Sequence, residues 1–438
     1  MVSGDGPRLP DGFAAVVGRA GVRSGPGDDM MVLWAAEPGP VASAAVFTRS
    51  RFAGPSVTLS RARAAGGRAR AVVVVAGNAN VATGRRGEAD AAELSDLAAT
   101  LAGVHPSEVL VASTGVIGRP YPIGAIREWF ASAAGAAGID GGSGSGGSGS
   151  VGTGSGGTGS GGTGSGGTGS GGTGSGGRGE APARRADLAR DLAGAIMTTD
   201  TVRKVAARRV GPASVVGVAK GVGMIEPDMA TMLAFVVTDA AVEPGTLERL
   251  WRASVGVSFN CLSVDGDTST SDTAVVLASG TAGPVPDAAL AAALREVCLD
   301  LTLQLARDGE GATKLLVVTV RAARDEDQAA RVAKAIVNSP LVKTAVHGGD
   351  PNWGRVAMAI GKCSDDHDIS PDRVVIRFGD LEAYPAVPGP DGLAALADLL
   401  AGDHVEIDVE LGAGRAEASV YGCDLSAEYV RINADYTT

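Results

Sequence analysis

Histidine is scarce. The chain has four (His105, His347, His367, His404), and no G-x-S-x-G elbow accompanies them. A Ser-His-Asp hydrolase therefore has little support, and any acyl chemistry here needs another base. His347, in "AVHGGDPNWGR", reads better as a hydrogen-bonded residue of a turn. The four Cys (Cys261, Cys298, Cys363, Cys423) are far apart and form no CxxC pair, as expected of reduced thiols and not of a disulfide frame or a zinc site. A basic surplus is also missing. The formal net charge is -11 and no Lys/Arg run exceeds two residues, which argues against a nucleic-acid partner. The longest tight apolar run, "AVVVVAG" at 71–77, is far too short to span a bilayer, and the start "MVSGDGPRLPDGF" has no secretory pattern. A cytoplasmic protein without a membrane partner is expected.

Two nucleotide patterns fail on inspection. "DGEGATKLL" lacks the G-K-[ST] order of a P-loop, because Thr313 precedes Lys314, and "KGVGM" is too short for G-x-G-x-x-G. The run "CSDDHD" at 363–368 matches no common metal-ligand spacing and reads as an exposed acidic loop.

What the chain does have is glycine, unevenly spread. One third of its 66 Gly lie in 141–178, where "GGTGS" repeats four times from residue 156. Such a segment has no apolar surface to offset its backbone entropy, and it reads as a disordered surface loop. Elsewhere helices and strands mix. Strands are expected at 30–37, 42–50, 55–61, 69–77, 108–114, 213–221, 232–240, 272–280 and 313–322, then at 372–380, 404–411, 416–422 and 428–435. Helices are expected at 88–103, 185–197, 245–255, 286–309 and 326–339. No strict βαβ rhythm dominates, so the fold class is mixed α/β (α+β), with mostly antiparallel or mixed sheets in layers. Six loops rich in small polar residues (77–84, 113–118, 219–224, 264–273, 308–314 and 347–355) interrupt this pattern at strand ends and suggest one shared cleft.

With His scarce, an N-terminal Thr is the alternative nucleophile. A free α-amine has a pKa of about 7.7–8, so it can accept the hydroxyl's proton near neutrality. In "EPDMATMLAF" an internal Thr231 follows the small Ala230. Cutting that bond would expose such an amine. The same hydroxyl can make the cut by attacking the carbonyl before it. The oxyanion of each step needs fixed donors, and "STGVIG" offers the Thr114 hydroxyl and the Gly115 N–H.

"AKGVGMIEPDMATMLAFVVTDA" resembles the self-cleavage region of the ornithine acetyltransferase (glutamate N-acetyltransferase) family. "GNANVATG", "ASTGVIG", "AIMTTD", "DTSTSDT", "DGEGATK", "NSPLVKTAVHGGDPNWGRVAMAIGK" and "EYVRINADYTT" resemble family motifs in family order, across nearly the whole chain except 141–178. The likeness extends to paralogues associated with clavulanic-acid-type pathways. It implies an N-terminal-nucleophile-like layered αββα core with a smaller C-terminal α/β lobe. It further implies an α fragment of residues 1–230 and a β fragment of 231–438, assembled as two of each or multiples of that. Residue by residue, it implies Thr231 as nucleophile, Ala230–Thr231 as the scissile bond, and Thr114 and Gly115 as the oxyanion hole. Thr198, Lys220, Thr231, Glu310, Asn433 and Thr438 would line a pocket for small amino-acid substrates. The implied reaction is ping-pong acetyl transfer from N2-acetyl-L-ornithine to L-glutamate, with no metal or nucleotide cofactor and with acetyl-CoA as a donor for some members. Two rivals stand beside it: an amidase or aminopeptidase passing the acyl group to water, and an uncleaved scaffold. Blander roles also exist for Lys220 (a turn cation), Glu310 (a solvated helix-end acid), Thr198 (a helix end) and Asn433 or Thr438 (a frayed tail).

Overall fold

A computed structural model describes residues 6–39, 41–136, 184–186 (backbone alone), 188–226, 232–386 and 388–435. The 141–178 segment, the Ala230–Thr231 pair with its fragment boundary, and Thr438 lie outside the described residues.

Continuous β-branched runs form strands buried on both faces. The first sheet holds β1 (Phe13–Gly18), β2 (Met30–Ala35), β4 (Ala71–Asn78), β5 (Val109–Val116) and β6 (Arg184–Ala186), in the order β5-β4-β2-β1-β6. The second holds β3 (Ala42–Phe47), β7 (Lys204–Val210), β8 (Ala213–Lys220), β9 (Leu233–Ala241) and β10 (Thr273–Pro284), in the order β3-β10-β9-β8-β7. Each sheet is mixed: β4 runs parallel to β5, and β9 parallel to β10.

The period-2 alternation of side chains sorts these strands between two faces. Val72 and Val74 of β4 meet Leu233, Phe235 and Val237 of β9 in a core between the sheets. Val73 and Val75 point the other way, onto helices α2 (Gly84–Ala102) and α3 (Ile123–Ala136). Ala234 and Val236 of β9 likewise face α5 (Pro244–Gly256) and α6 (Asp287–Arg307). The result is an αββα sandwich. The short α4 (Ala189–Ile196) adds Leu192 and Ile196 to the inter-sheet core.

The remaining elements form a smaller lobe with its own core. Its sheet has the order β13-β12-β14-β11-β15, from β11 (Leu315–Ala323), β12 (Val375–Phe378), β13 (Leu381–Tyr384), β14 (His404–Glu410) and β15 (Ala416–Cys423). Helices α7 (Glu326–Val337), α8 (Pro340–Gly348), α9 (Trp353–Gly361) and α10 (Pro390–Leu400) contribute to that core.

Two expected strands are helices. Residues 55–61 belong to α1 (Pro55–Ala64). Pro55 presets the first helical turn, and Ser60 donates to the Val111 carbonyl and accepts the Val111 N–H, both at 2.7 Å, so the helix covers the open edge of β5. Residues 428–435 belong to α11 (Ala427–Asp435), where Ser426 accepts the Glu428 N–H at 3.1 Å. Part of the helix expected from residue 185 is the short strand β6, which pairs with β1. The loop 347–355 joins α8 to α9 and is not at a strand end. Within "CSDDHD", Asp366 is buried, not exposed, because Arg324 and Arg331 pair with it at 3.0 and 2.8 Å.

Candidate active site

The C-terminal ends of strands from both large sheets converge beside α11. Thr114, Gly115, Thr198, Lys220, Glu310 and Asn433 line one cavity of about 180 Å³, together with Gly223, Met224 and Ser269–Ser271. Larger hollows exist on the described surface, but volume does not identify a site, and this one collects the candidate residues. Four of the six polar loops contribute lining residues; 77–84 and 347–355 do not. The loop 77–84 instead supports the site from behind, since Ala79 N–H bonds the Val116 carbonyl at 3.0 Å.

Gly115 has φ +129°, and a Cβ there would lie 2.3 Å from the Gly77 carbonyl carbon. Only glycine lets β4 and β5 approach this closely at their ends. Next to it, Thr114 is buried, and its hydroxyl oxygen accepts a bond from Lys220 Nζ at 3.0 Å. That bond joins the two sheets across the cavity. A hydroxyl that accepts from an ammonium keeps its own proton for another acceptor.

Lys220 ends β8 and is almost wholly buried. Burial pushes its pKa below the ordinary lysine value, and Lys204 adds to the effect, while Asp200, Asp272 and Glu310 oppose it. The loop after α4 supplies the main counter-charge. Asp200 accepts Gly221 N–H and Lys204 Nζ, both at 2.7 Å, and Thr198 N–H at 3.0 Å. Burial works against its ionisation, but Lys220 and Lys204 outweigh burial and hold its pKa below the usual value. Lys204, fully buried, also donates to Asp308, which accepts the Thr201 N–H at 3.1 Å. One carboxylate thus fixes two walls of the cavity, the Thr198 turn and the Lys220–Gly221 strand end.

Glu310 follows α6, and its N–H bonds the Val222 carbonyl at 2.8 Å. Its carboxylate accepts Asn433 Nδ2 at 2.8 Å and the Thr199 hydroxyl at 3.3 Å. Asn433 reaches it because 427–435 is helical. Gly223 leaves the carboxylate its space, since a Cβ there would sit 2.6 Å from Oε2. Lys220 and Glu310 therefore offer a cation and an anion to the same small cavity. His347 lies apart from it, bonded through Nδ1 to Asp424 at 2.7 Å.

Sequence reasoning missed Asp200, Lys204, Asp308 and Asp272. Asp200 ends "AIMTTD" and Asp308 opens "DGEGATK", so both acids stood in quoted motifs, but nothing marks Lys204 as lying between them. Asp272 sits just before β10. It is fully buried, and its Oδ1 accepts the N–H of Met232, the residue bonded to Thr231, at 3.0 Å. Its Oδ2 has no hydrogen-bond partner among the described residues. The Thr48 hydroxyl, close enough to favour the ionised form, donates instead to the Ser269 carbonyl at 2.6 Å. Burial raises the Asp272 pKa well above the ordinary value, against the Met232 N–H and Lys220.

The comparisons with known proteins decide the family. The ArgJ family model matches residues 14–438. The chain belongs to the ArgJ family. An arginine biosynthesis bifunctional protein ArgJ 2 of Nostoc is 48% identical, covering 98% of each chain. Glutamate N-acetyltransferase Oat2 of Streptomyces clavuligerus is 47% identical over 99% of each. An ArgJ from Thermus thermophilus is 41% identical over 98% of this chain and 99% of its own. Six of the eight motifs that carried the resemblance supply lining residues of the cavity, and among the described residues no helix is long and apolar enough to cross a membrane.

Two predictions follow from the buried charges. Lys204→Met leaves Asp200 and Asp308 without their shared cation, and chemical denaturation should show a loss of about 3–5 kcal/mol in unfolding free energy. Asp272 binds a proton in the folded chain that the unfolded chain releases near pH 3.8. Its contribution to stability is complete below that pH and is lost as pH climbs through the raised folded value. Asp272→Asn should therefore flatten the fall of the melting temperature from about pH 4 upward, with its advantage over wild type growing toward neutrality.

Proposed function

We propose that the chain transfers an acetyl group from N2-acetyl-L-ornithine to L-glutamate, through an acetyl ester on Thr231 after self-cleavage of the Ala230–Thr231 bond. The observation that carries this reading is the meeting of Thr114, Gly115, Lys220 and Glu310 at one small cavity. The names of near full-length relatives, an arginine biosynthesis bifunctional protein and a glutamate N-acetyltransferase, point the same way.

The described chain on either side of the cleavage pair is held. Glu226 accepts Asn338 Nδ2 at 2.7 Å, and Met232 is fixed by Asp272 and by the Thr273 N–H on its carbonyl at 3.2 Å. After cleavage the Thr231 amine takes the proton of its own hydroxyl as the oxygen attacks the acetyl carbonyl. The oxyanion receives bonds from the Thr114 hydroxyl, whose lone pair is occupied by Lys220, and from the Gly115 N–H. The amide C–N bond breaks, the amine proton passes to the leaving nitrogen, and ornithine departs. Glutamate's amine then attacks the ester. The attacking nitrogen gives up a proton to the Thr231 α-amine, which returns it to the Thr231 oxygen as the C–O bond breaks.

One amide is exchanged for another of similar energy, so the reaction needs no nucleotide or metal; acetyl-CoA is a possible further donor. The substrates carry both charge signs, and Lys220 and Glu310 orient them within the cavity. The mature protein consists of fragments 1–230 and 231–438, two copies of each, in the cytoplasm.

On a denaturing gel the purified protein should give two bands, the smaller beginning at Thr231, and Thr231→Ala should stay whole and inactive. Ornithine release from N-acetylornithine should rise with added glutamate; equal rates with and without it would assign the acyl group to water. Thr114→Ala should lower kcat by about 10²–10³, the loss typical of one oxyanion donor, with far less effect on KM.

A further inference from the structure

Between β8 and the cleavage region, Met224 adopts φ +55°. Left-handed backbone is unfavourable for a residue with a Cβ, and Met has no short polar side chain to offset it. The conformation is imposed. Asp265 accepts the N–H of Met224 at 2.6 Å and of Ile225 at 2.9 Å, and its carboxylate thus clamps the turn. Ile225 enters the core, while Met224 remains 43% exposed and lines the cavity that holds Lys220 and Glu310. Ile117, equally exposed, lines the same cavity. Among the described residues, two large apolar side chains thus stand open to solvent beside a charged pocket. A strained backbone that places one of them there points to a role at the site.

We propose that Met224 is a specificity-determining residue whose thioether packs on the unbranched methylene chain of the substrate, between the polar ends that Lys220 and Glu310 take. The inference rests on the acetyl-transfer reading for the identity of the substrate, but on this structure alone for the apolar contact. A flexible, polarisable side chain suits a straight aliphatic segment. Each methylene it covers should be worth about fourfold in affinity. The preferred donor is then an N2-acetyl α,ω-diamino acid with three methylenes, over homologues with two or one.

Met224→Gly separates this role from a structural one. Glycine accepts φ +55° without strain, so the melting temperature should stay at or near the wild-type value. The KM for N-acetylornithine should rise about five- to twentyfold, with kcat within about twofold. The fourfold step per methylene, measured with N2-acetyl derivatives of ornithine, diaminobutyrate and diaminopropionate, should flatten. Met224→Ala, which keeps the strain that the wild type already carries, should show the same KM pattern with a melting temperature no higher than that of Met224→Gly. An unchanged KM, or an equal loss for all three donors, overturns the proposal even if acetyl transfer is intact. Calorimetric binding of ornithine to the uncleaved Thr231→Ala chain, with and without Met224→Gly, removes turnover from the comparison. Weaker binding in the double variant supports the contact even if wild type transfers no acetyl, which would sink the transfer reading instead. Equal binding counts against the contact.

Discussion

A lysine ammonium buried where two apolar sheets meet is costly, and the architecture of the site follows from how Lys220 is accommodated. Removing such a charge from water costs several kcal/mol unless counter-charges and hydrogen bonds replace the solvent. Asp200 supplies the counter-charge from the turn after α4, and its remaining bonds lock Thr198, Gly221 and Lys204 in place. Lys204 in turn needs Asp308, which ties in the end of α6. Two carboxylates and two ammonium groups therefore balance behind one wall of the cavity. The Lys220 bond to Thr114 closes the arrangement across the sheets. The same contacts that make the charge tolerable also fix Lys220 and Thr114 in the cavity wall.

The sandwich explains why this happens at strand ends. Inside it, alternating apolar side chains leave no room for polar groups: Val72, Val74, Leu233, Phe235 and Val237 are nearly or wholly inaccessible. Where strands β5, β8 and the segment leading into β10 reach the rim, the alternation stops and small polar residues take over. Backbone N–H groups released from the sheet ladders then become available as donors. At Gly115, near the end of β5, the backbone lies against Gly77 of β4 more closely than a Cβ would allow.

Much of this was legible in the sequence where one periodicity dominated. The long helix α6 and the valine-rich β4 sit where their patterns predict them. The errors have physical causes. Residues 55–61 carry β-branched side chains, but Pro55 and a need to cover the β5 edge make them a helix. Residues 428–435 alternate like a strand, yet only a helix brings Asn433 to Glu310. Six of the residues named from motifs line one cavity, while Thr231 and Thr438 lie outside the described residues. What no local pattern encodes is a partner distant in sequence: Lys204 with Asp308, or Asp272 with Met232. Those pairs depend on the order of strands within the second sheet and on the packing of α6 against it, and cannot be read from spacing.

The exceptions to good folding practice cluster here. An inverted backbone at Met224, a carboxyl oxygen of Asp272 with no hydrogen-bond partner among the described residues, and a desolvated lysine all lie within or beside one cavity. Each is individually unfavourable, and a sequence selected for stability alone would replace them. Their surroundings share a feature: each is held by bonds to backbone N–H groups or to a second buried charge, so none can relax without disturbing the sandwich rim. Asp265 holds the Met224 turn through two N–H groups, Asp272 takes the N–H of Met232, and Asp200 takes that of Gly221. Three aspartate side chains thus replace sheet pairing where strand pairing ends. They keep the chain on both sides of Ala230–Thr231 in fixed positions at the points where the sheets can no longer do so.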